Sequence, residues 1–346
     1  MNILDWFKKK QQFGTGALPD PNDPRDYIYE DVIGFGEPVD WDKGYDVEKE
    51  VGIKIPFKQQ NGSGSCVGQG WAYYAAVINA VETKKYTEVS AKAIYSLIEL
   101  GLPQGGAYIR DGGKLIKDFG ALLETVITSY DNGQPPSELF MKDKTWKTAD
   151  MVALAKILQA KDYRTIGGAP TMDLFAMAIR DNYGVVGGVN GENNGTWNSL
   201  EPRIGKCDWG HCLYFGKFGK DSKGKYIATP NSWGCRGTDD MHPDGWQKLR
   251  EEWFDPKYIF NPWTLTDQPN SIVVSPESQN IVKNYEKKLV VEAEGKGRIG
   301  IMINGKLNEV SDYRKAAASI YVLTNNNLGV NVKTKIFDEL TKGPNF

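Results

Sequence analysis

Histidine and cysteine are scarce in this sequence. Its 346 residues include only two histidines and four cysteines. If one cysteine serves as a catalytic thiol, three remain, which is an odd number for a disulfide framework. We therefore expect free thiols and a reducing compartment, and a chain of this length can build its core without cross-links. Any chemistry that needs a histidine must use His211 or His242.

Long apolar runs and a large excess of one charge are also missing. No run of about 18 apolar residues occurs, so we expect no transmembrane helix. Residues 1–10 place their lysines after a short apolar stretch, whereas a secretory signal places basic residues before a long one. The formal net charge of -2 provides no broad basic surface, which argues against nucleic acid as a partner. Together these features favour a cytoplasmic protein.

Composition divides the chain into four parts. Closely spaced glycines and prolines in residues 1–36 are incompatible with a regular helix or a central strand, so they predict an extended N-terminal arm. Residues 37–265 form a large region of mixed pattern. Residues 266–278 contain prolines and polar residues typical of a linker, and residues 279–346 are predicted to form a small separate domain.

The C-terminal domain shows signals for a β-hairpin and a helix. Two strand-like runs occupy residues 289–294 and 298–303, and the dipeptide Asn304-Gly305 that follows is typical of a two-residue hairpin turn. Residues 312–323 have apolar side chains at helical spacing. A unit of this size is near the lower limit for independent stability, so we expect it to dock a protein partner.

In the large region, the first half is predicted to be helical and the second half rich in strands, which is an α+β fold. The predicted helices are 66–84, 87–100, 112–119 and further helices between 150 and 182. The predicted strands begin at Val185 and continue with 212–218 and 225–229, joined by a turn at 219–224.

Cys66 lies where a glycine-rich loop, residues 61–65, becomes the first predicted helix. The dipole of a helix stabilises a thiolate at its N-terminus, and a nearby imidazolium adds to this effect. The simpler interpretation, a small buried hydrophobic residue, holds for most cysteines. The glycines around Cys66 favour a functional role, because they leave room for the backbone of a ligand to approach.

His211 and Asn231 flank the predicted hairpin at equal distances from its turn. His211 precedes the strand 212–218, and Asn231 follows the strand 225–229. An antiparallel pairing would bring the two side chains together at the open end of the hairpin, where an amide can orient an imidazole. His242 lies in a polar loop, and we expect it to be solvated.

A zinc site is a competing interpretation of some of these residues. Cys207, His211, Cys212 and Cys235 offer the ligand types that zinc prefers. The spacing lacks the short Cys-x2-Cys element of convincing zinc motifs, so we expect no metal.

The order of four residues, Gln60, Cys66, His211 and Asn231, resembles that of papain-like cysteine peptidases. The segments that carry the resemblance are Gln60-Asn-Gly-Ser-Gly-Ser-Cys66, Gly210-His211 before an apolar strand, and a complete Asn231-Ser-Trp-Gly234, with weaker echoes in Val39-Asp-Trp41, Gly106-Ala-Tyr-Ile109 and Asp244-Gly-Trp246. The resemblance covers residues 37–263 and implies a two-lobed fold with a helical lobe and an antiparallel β lobe. The segment Val67-Gly-Gln-Gly70 resembles bacterial and bacteriophage branches of the family.

The resemblance also implies a role for each matching residue. Cys66 would attack a peptide carbonyl as a thiolate, His211 would exchange its proton, and Asn231 would hold the imidazole. Gln60 and the Cys66 N–H would stabilise the oxyanion, although Gln59 is adjacent and leaves that assignment open. The family's substrate-contacting positions correspond to Gly106, Ala107 and Trp233. No organic cofactor or metal is implied. Ser63 stands where secreted members carry a disulfide cysteine.

Three functions stay open at the level of the sequence. The first is a cysteine endopeptidase that acts on protein or peptide substrates, and the second is a transferase or amidase with the same acyl-enzyme chemistry. The third is a structural or binding protein, possible in a virion as well as in the cytoplasm, whose C-terminal domain docks a partner. We also expect the arm, residues 1–36, to lie across the catalytic domain, since an extended strand fits a papain-like groove.

Overall fold

The structure is a computed structural model that describes most of the large region and parts of both ends. It covers residues 15–23, 26, 38–167, 171–192 and 195–265, and the backbone of strands 289–292, 299–303, 306–309 and 330–332. The expected linker at 266–278 and the expected helix at 312–323 lie outside the described residues. So do residues 1–14, 24, 25 and 27–36 of the expected arm. Within the described ranges, no helix is long and apolar enough to span a bilayer.

The chain divides into two compact units. One comprises Met1–Lys144 and Leu158–Asp267, and the other comprises Thr145–Ile157 and Gln268–Phe346.

The described residues contain seven α-helices. They are α1 (Val47–Val51), α2 (Cys66–Thr83), α3 (Ala91–Ile98), α4 (Ile109–Asp118), α5 (Glu138–Lys142), α6 (Ala149–Ala155) and α7 (Met172–Asn182). Four of them begin after a serine or threonine whose side-chain oxygen accepts a backbone N–H from the first turn. These capping residues are Ser90, Ser137, Thr148 and Thr171.

The described strands of the first unit form two four-stranded sheets and one short pair. The strands are β1 (Ala17–Leu18), β2 (Tyr45–Asp46), β3 (Ala107–Tyr108), β4 (Tyr163–Thr165), β5 (Val185–Gly191), β6 (Trp209–Phe215), β7 (Lys217–Asp221), β8 (Gly224–Thr229), β9 (Gln247–Arg250) and β10 (Ile259–Leu265). The sheet orders are β4-β10-β5-β6 and β2-β7-β8-β9, all antiparallel, whereas β1 pairs with β3 in parallel.

The second unit contains a sheet in the order β13-β12-β11-β14, in which β11 and β14 are parallel. Its strands are β11 (Leu289–Glu292), β12 (Ile299–Ile303), β13 (Lys306–Glu309) and β14 (Val330–Val332). Ile303 pairs with Lys306 across an antiparallel hairpin, so the two residues between them are those that the sequence predicts as the turn.

The helix that begins at Cys66 agrees with its predicted bounds but not with its predicted environment. The sequence spacing predicts one buried face, whereas every residue from Cys66 to Ala80 is buried. Helix α2 packs against β6 of the first sheet and against α3. It is therefore the central helix of its unit, and its N-terminus lies inside the fold.

The predicted strand over 212–218 is wrong because the chain changes sheets in its middle. Strand β6 ends at Phe215 and pairs with β5, while β7 begins at Lys217 and pairs with β8. Gly216 lies at the break, where a Cβ atom would meet the hydroxyl of Tyr214 at 2.7 Å and a methyl of Val47 at 2.9 Å. A turn lies within the range expected at 219–224 but is shorter than predicted, because residues 219–221 belong to β7 and Asp221 pairs with Gly224.

Other predicted elements differ at their ends. The helix expected at 87–100 begins only after the cap at Ser90, because Val89 forms a bridge with Leu123. The helix expected at 112–119 starts three residues earlier, at Ile109. The helical stretch expected up to Asn182 is interrupted by strand β4.

Candidate active site

Cys66 is the first residue of α2, and its side chain is completely buried. The backbone N–H groups of Cys212, Gly16 and Val67 face its sulfur and act to lower the pKa of the thiol. Burial has the larger effect and raises this pKa to about 11. In this conformation the sulfur is therefore a protonated thiol.

The loop before Cys66 is held by its own hydrogen bonds. Ser63 donates its hydroxyl to the carbonyl oxygen of Gln60 at 2.7 Å, and the N–H of Gln60 donates to the carbonyl oxygen of Ser232 at 2.9 Å. The side-chain oxygens of Ser63 and Ser65 are 2.8 Å apart. The loop thus reaches the Asn231-Ser-Trp-Gly234 segment, which lies 165 positions or more further along the chain.

His211 and Asn231 meet as the sequence predicts, although by a different route. His211 lies on β6, opposite Val189 of β5, and its Nε2 atom is 2.9 Å from Oδ1 of Asn231. Asn231 follows β8, which belongs to the other sheet. His211 and Asn231 are therefore brought together by the change of sheet at Gly216. They do not lie at the two ends of a single hairpin.

The hydrogen bonds of Asn231 define the tautomer of the imidazole. Oδ1 of Asn231 accepts the N–H of Ser232 at 2.6 Å, and its Nδ2 donates to Oε1 of Gln247 at 2.6 Å. Because Oδ1 is an acceptor, Nε2 of His211 must carry the hydrogen. Nδ1 of His211 is then the acceptor nitrogen, and it has no hydrogen-bond partner among the described residues.

Burial also keeps the imidazole neutral. The side chain of His211 is fully enclosed, and this burial lowers its pKa to about 3, although the hydrogen bond to Asn231 acts in the opposite direction. The ring of Trp233 stacks on the imidazole with centroids 3.9 Å apart and planes inclined by 15°. Trp197 and Trp209 contact the same ring edge-on. Trp233 thus covers the imidazole face.

Gln60 lies in the buried nucleophile loop, and Gln59 points elsewhere. The side-chain amide of Gln60 donates to the carbonyl oxygen of Ser63 at 2.9 Å and accepts from the hydroxyl of Ser232 at 2.5 Å. Nε2 of Gln59 donates to the carbonyl oxygen of Trp233 at 3.3 Å. This arrangement favours Gln60 over Gln59 as a donor beside Cys66.

The described part of the N-terminal arm occupies the space beside Cys66. Strand β1 pairs with β3, and the N–H of Ala107 donates to the carbonyl oxygen of Gly16 at 2.9 Å. On the other side, the N–H of Gly16 donates to the carbonyl oxygen of Gly210 at 3.1 Å. The arm therefore joins the edge next to Gly106 to the strand that carries His211.

Only glycine fits at the centre of the crossing, by which we mean the place where the arm at Gly16 passes between Gly64, Gly106 and Gly210. A Cβ atom on Gly16 would overlap the carbonyl oxygen of Gly64 and lie 2.8 Å from its carbon. A Cβ atom on Gly106 would lie 2.9 Å from the carbonyl oxygen of Gly16, and one on Gly210 would overlap the carbonyl oxygen of Ala17. Backbone therefore contacts backbone on every side of the crossing.

Beyond the crossing, Asp20 fastens the arm to the body of the unit. Its two carboxylate oxygens accept the N–H of Arg110 at 3.0 Å and the indole N–H of Trp263 at 2.7 Å, and its own N–H donates to Oδ1 of Asn261 at 2.9 Å. Burial raises the pKa of Asp20 to about 6 despite these donors. Arg110 also pairs with Asp26 at 3.0 Å.

The expectation that His242 is solvated is wrong. Its side chain is buried, and its Nδ1 atom lies 2.7 Å from a carboxylate oxygen of Asp239. The local turn between these two residues closes the loop on itself. His242 is therefore a structural residue of the loop.

The four residues considered as zinc ligands, Cys207, His211, Cys212 and Cys235, do not form a cluster. Cys207 and Cys235 are exposed, while Cys212 is buried, and all four cysteines are free thiols. Across the described residues, no three histidine, cysteine or acidic side chains are placed to hold a metal ion.

Sequence reasoning missed Gly16, Ser232 and Gln247 as neighbours of the site. Gln247 fixes the amide of Asn231 and donates in turn to the carbonyl oxygens of Trp197 and Ser199. Its position directly after Asp244-Gly-Trp246 is the only sequence signal for it.

Comparison with solved structures identifies the fold. The chain is similar to xylellain, a cysteine protease from Xylella fastidiosa (18% identity, TM-score 0.56, 75% of this chain and 98% of that chain). It is also similar to procathepsin B from Trypanosoma congolense (11% identity, TM-score 0.53, 74% and 87%) and to bromelain from Ananas comosus (16% identity, TM-score 0.50, 66% and 99%). No protein-family model and no curated protein sequence matches. The predicted α+β, papain-like fold with helical and sheet lobes is confirmed.

Proposed function

We propose that the chain is a cysteine endopeptidase that uses Cys66 as nucleophile and His211 as base. The observation that carries the proposal is the buried imidazole, oriented by Asn231 and stacked on Trp233, whose acceptor nitrogen is left without a partner in the described residues. The N–H of Cys212, the residue after His211, faces the sulfur of Cys66. The strand that carries the oriented base therefore contacts, through its backbone, the thiol at the start of the helix.

The reaction would proceed in two steps. The Cys66 proton passes to Nδ1 of His211, and the thiolate attacks the peptide carbonyl carbon. The oxyanion faces the N–H of Cys66 and the amide of Gln60, and a donor of this kind contributes about 10²–10³ in rate. His211 then gives the proton to the leaving amine, and water, activated by the same imidazole, releases the acyl group.

We propose that the arm makes the described conformation latent. The backbone of Gly16 holds the edge at Ala107 that a peptide substrate would need, and its N–H faces the sulfur where an electrophilic carbonyl carbon would have to lie. A donor N–H cannot be attacked by the thiolate. The arm at Gly16 therefore blocks the groove without presenting a scissile bond there.

The direct test is covalent labelling with a peptidyl vinyl sulfone, followed by mapping of the modified residue. We expect one modification, at Cys66, in a chain that carries Gly16→Ala to displace the arm. Cys66→Ala in that background should abolish labelling, whereas the matched change Cys235→Ala, at an exposed cysteine, should leave it intact. Labelling that persists in Cys66→Ala would contradict the assignment of the nucleophile.

A binding protein that reuses the fold is the second candidate, and the complete burial of both Cys66 and His211 favours it. The two functions differ after displacement of the arm. A peptidase turns over a peptide substrate, whereas a binding protein captures peptide without cleaving it, even when Cys66 is accessible to iodoacetamide.

Two finer proposals rest on the sequence. The segment Val67–Gly70 between nucleophile and aromatic favours the bacterial and bacteriophage branch of the peptidases. The C-terminal domain, residues 279–346, is proposed to dock a protein partner. Analytical ultracentrifugation with and without candidate partners would test the docking.

A further inference from the structure

One carboxylate connects the nucleophile loop to the edge that holds the arm. Oε2 of Glu138 accepts the N–H of Gly64 at 2.5 Å, two residues before Cys66. Its Oε1 accepts the hydroxyl of Tyr95 at 2.7 Å. The same hydroxyl accepts the N–H of Gly106 at 2.7 Å. A continuous chain of hydrogen bonds therefore runs from Gly64 through Glu138 and Tyr95 to Gly106.

The chain of hydrogen bonds is enclosed by close packing. Tyr95 is fully buried, and burial raises the pKa of its phenol, so the hydroxyl keeps the proton that it donates to Glu138. A Cβ atom on Gly105 would overlap the carboxylate of Glu138, and one on Gly64 would lie 2.9 Å from the carbonyl oxygen of Gln104. The nucleophile loop and the 104–106 segment thus touch through their backbones.

The charge of Glu138 is matched by a nearby cation. Nζ of Lys142, one turn later on α5, is 3.4 Å from Oε1 of Glu138. The same ammonium donates to the carbonyl oxygen of Leu102 at 2.5 Å. Helix α5 therefore holds the 100–106 loop directly at Leu102 and, through Tyr95, at Gly106. Hydrogen bonds to the Glu138 carboxylate are of the stronger, charge-assisted kind.

We propose that Glu138 and Tyr95 are positioning residues that set the distance between the oxyanion donors and the peptide-binding edge. This inference rests on the proposed peptidase function. Gly64 lies in the loop that carries Gln60 and the Cys66 N–H, and Gly106 precedes Ala107, whose N–H holds a peptide carbonyl, here that of Gly16. Neither Glu138 nor Tyr95 has a role in the chemistry itself. They act through the two backbones that they tie together.

Glu138→Gln separates this role from simple filling of space. Glutamine has the same shape but only one acceptor oxygen, so either Gly64 or Tyr95 loses its acceptor and faces an amide NH2. Loss of a hydrogen bond to a charged group corresponds to about 10- to 100-fold in an equilibrium or a rate. Tyr95→Phe removes both the donor to Glu138 and the acceptor for Gly106, and we expect a loss of the same order.

Glu124→Gln is the matched control. The Glu124 carboxylate also bridges backbone and side chain in a half-buried loop, where it accepts from the N–H and, at 2.8 Å, from the hydroxyl of Ser129. It touches neither the nucleophile loop nor the 104–106 segment. A general loss of stability should therefore appear equally in Glu124→Gln and in Glu138→Gln.

The experiment compares two reagents on full-length chains that all carry Gly16→Ala. Iodoacetamide, followed at Cys66 by peptide mapping because the exposed Cys207 and Cys235 also react, depends on the thiol and not on the peptide-binding edge, whereas a peptidyl vinyl sulfone needs both. We expect Glu138→Gln and Tyr95→Phe to slow the peptidyl reagent by about 10- to 100-fold while iodoacetamide reacts at the parent rate. The double variant should be no slower than the worse single variant, since both changes break one chain of bonds.

Hydrogen exchange supplies a readout that needs no activity. We expect faster exchange in peptides that contain Gly64 or Gly106 in Glu138→Gln, and in peptides that contain Gly106 in Tyr95→Phe, with no change in either region in Glu124→Gln. Unchanged exchange at both glycines, or an equal slowing of both reagents, would overturn the positioning role. If the Gly16→Ala parent is not labelled by the peptidyl reagent at all, the proposed function fails. Hydrogen exchange would still test whether Glu138 and Tyr95 link the backbones of Gly64 and Gly106.

Discussion

Replacing Gly16 by alanine should open the groove. The added methyl group would overlap the carbonyl oxygen of Gly64, and that oxygen belongs to backbone that packs against the 104–105 segment. Neither of the two backbones can move away, so the arm must leave its docked position at Gly16. We call this docked position the seat of the arm. Two hydrogen bonds would then be lost, from the Gly16 N–H to Gly210 and from the Ala107 N–H to Gly16.

The size of the effect follows from those two bonds. Each contributes about 0.5–1.5 kcal/mol, so the seat weakens by about 1–3 kcal/mol, or roughly 5- to 150-fold in occupancy. Water can then reach Cys66, whose pKa is about 11 under the arm because of burial. The thiol should therefore become both more accessible and easier to ionise.

Alkylation by iodoacetamide at neutral pH measures this change in the full-length chain. We expect Gly16→Ala to react at Cys66 about 5- to 150-fold faster than the parent, in line with the lost hydrogen bonds. Asn22→Ala is the control, since this arm residue is exposed and lies beyond the crossing. A Gly16→Ala chain that melts like the parent yet reacts no faster would refute the idea that the arm closes the site.

Three further predictions concern single residues. His211→Ala should reduce turnover of a peptide substrate by at least 10³-fold, whereas His242→Ala should act only on thermal stability, because His242 is held by Asp239 in a separate loop. Gln60→Ala should lower kcat by about 10²-fold with little change in KM, since an oxyanion donor acts mainly in the transition state, and steady-state kinetics separates the two. Asp20→Asn should remove a component of the pH dependence of Cys66 alkylation between pH 4 and 6.

The sequence was sufficient for the nucleophile segment because its signals are local. A glycine-rich loop, a cysteine and an apolar run specify the start of α2, and the structure begins that helix at Cys66. The Asn231-Ser-Trp-Gly234 motif likewise predicted contacts with the imidazole of His211, and Asn231 and Trp233 both make them.

The sequence could not reveal the features that depend on distant backbone. The break at Gly216 looks like any glycine within a strand, and only the packing of Tyr214 and Val47 around it shows why the chain changes sheets. The buried state of His242 depends on Glu201 and Asp239 and on a loop closure that no periodicity records. Glu138 has no motif, because its hydrogen-bond partners are the backbone N–H of Gly64 and the phenol of Tyr95, which lie far from it in the sequence.

The pH dependence of the arm follows from a buried carboxyl group on the arm itself. Asp20 has its pKa raised from 3.8 to about 6 when seated, so its protonation favours the seat, which weakens by up to about a hundredfold as the pH rises from 4 to 6. In the parent chain, the rate of Cys66 alkylation, corrected for thiolate fraction, should therefore rise between pH 4 and pH 6. In Asp20→Asn the carboxyl group is gone, and this rise should be absent. A corrected profile identical to that of the parent would show that Asp20 does not titrate with the arm.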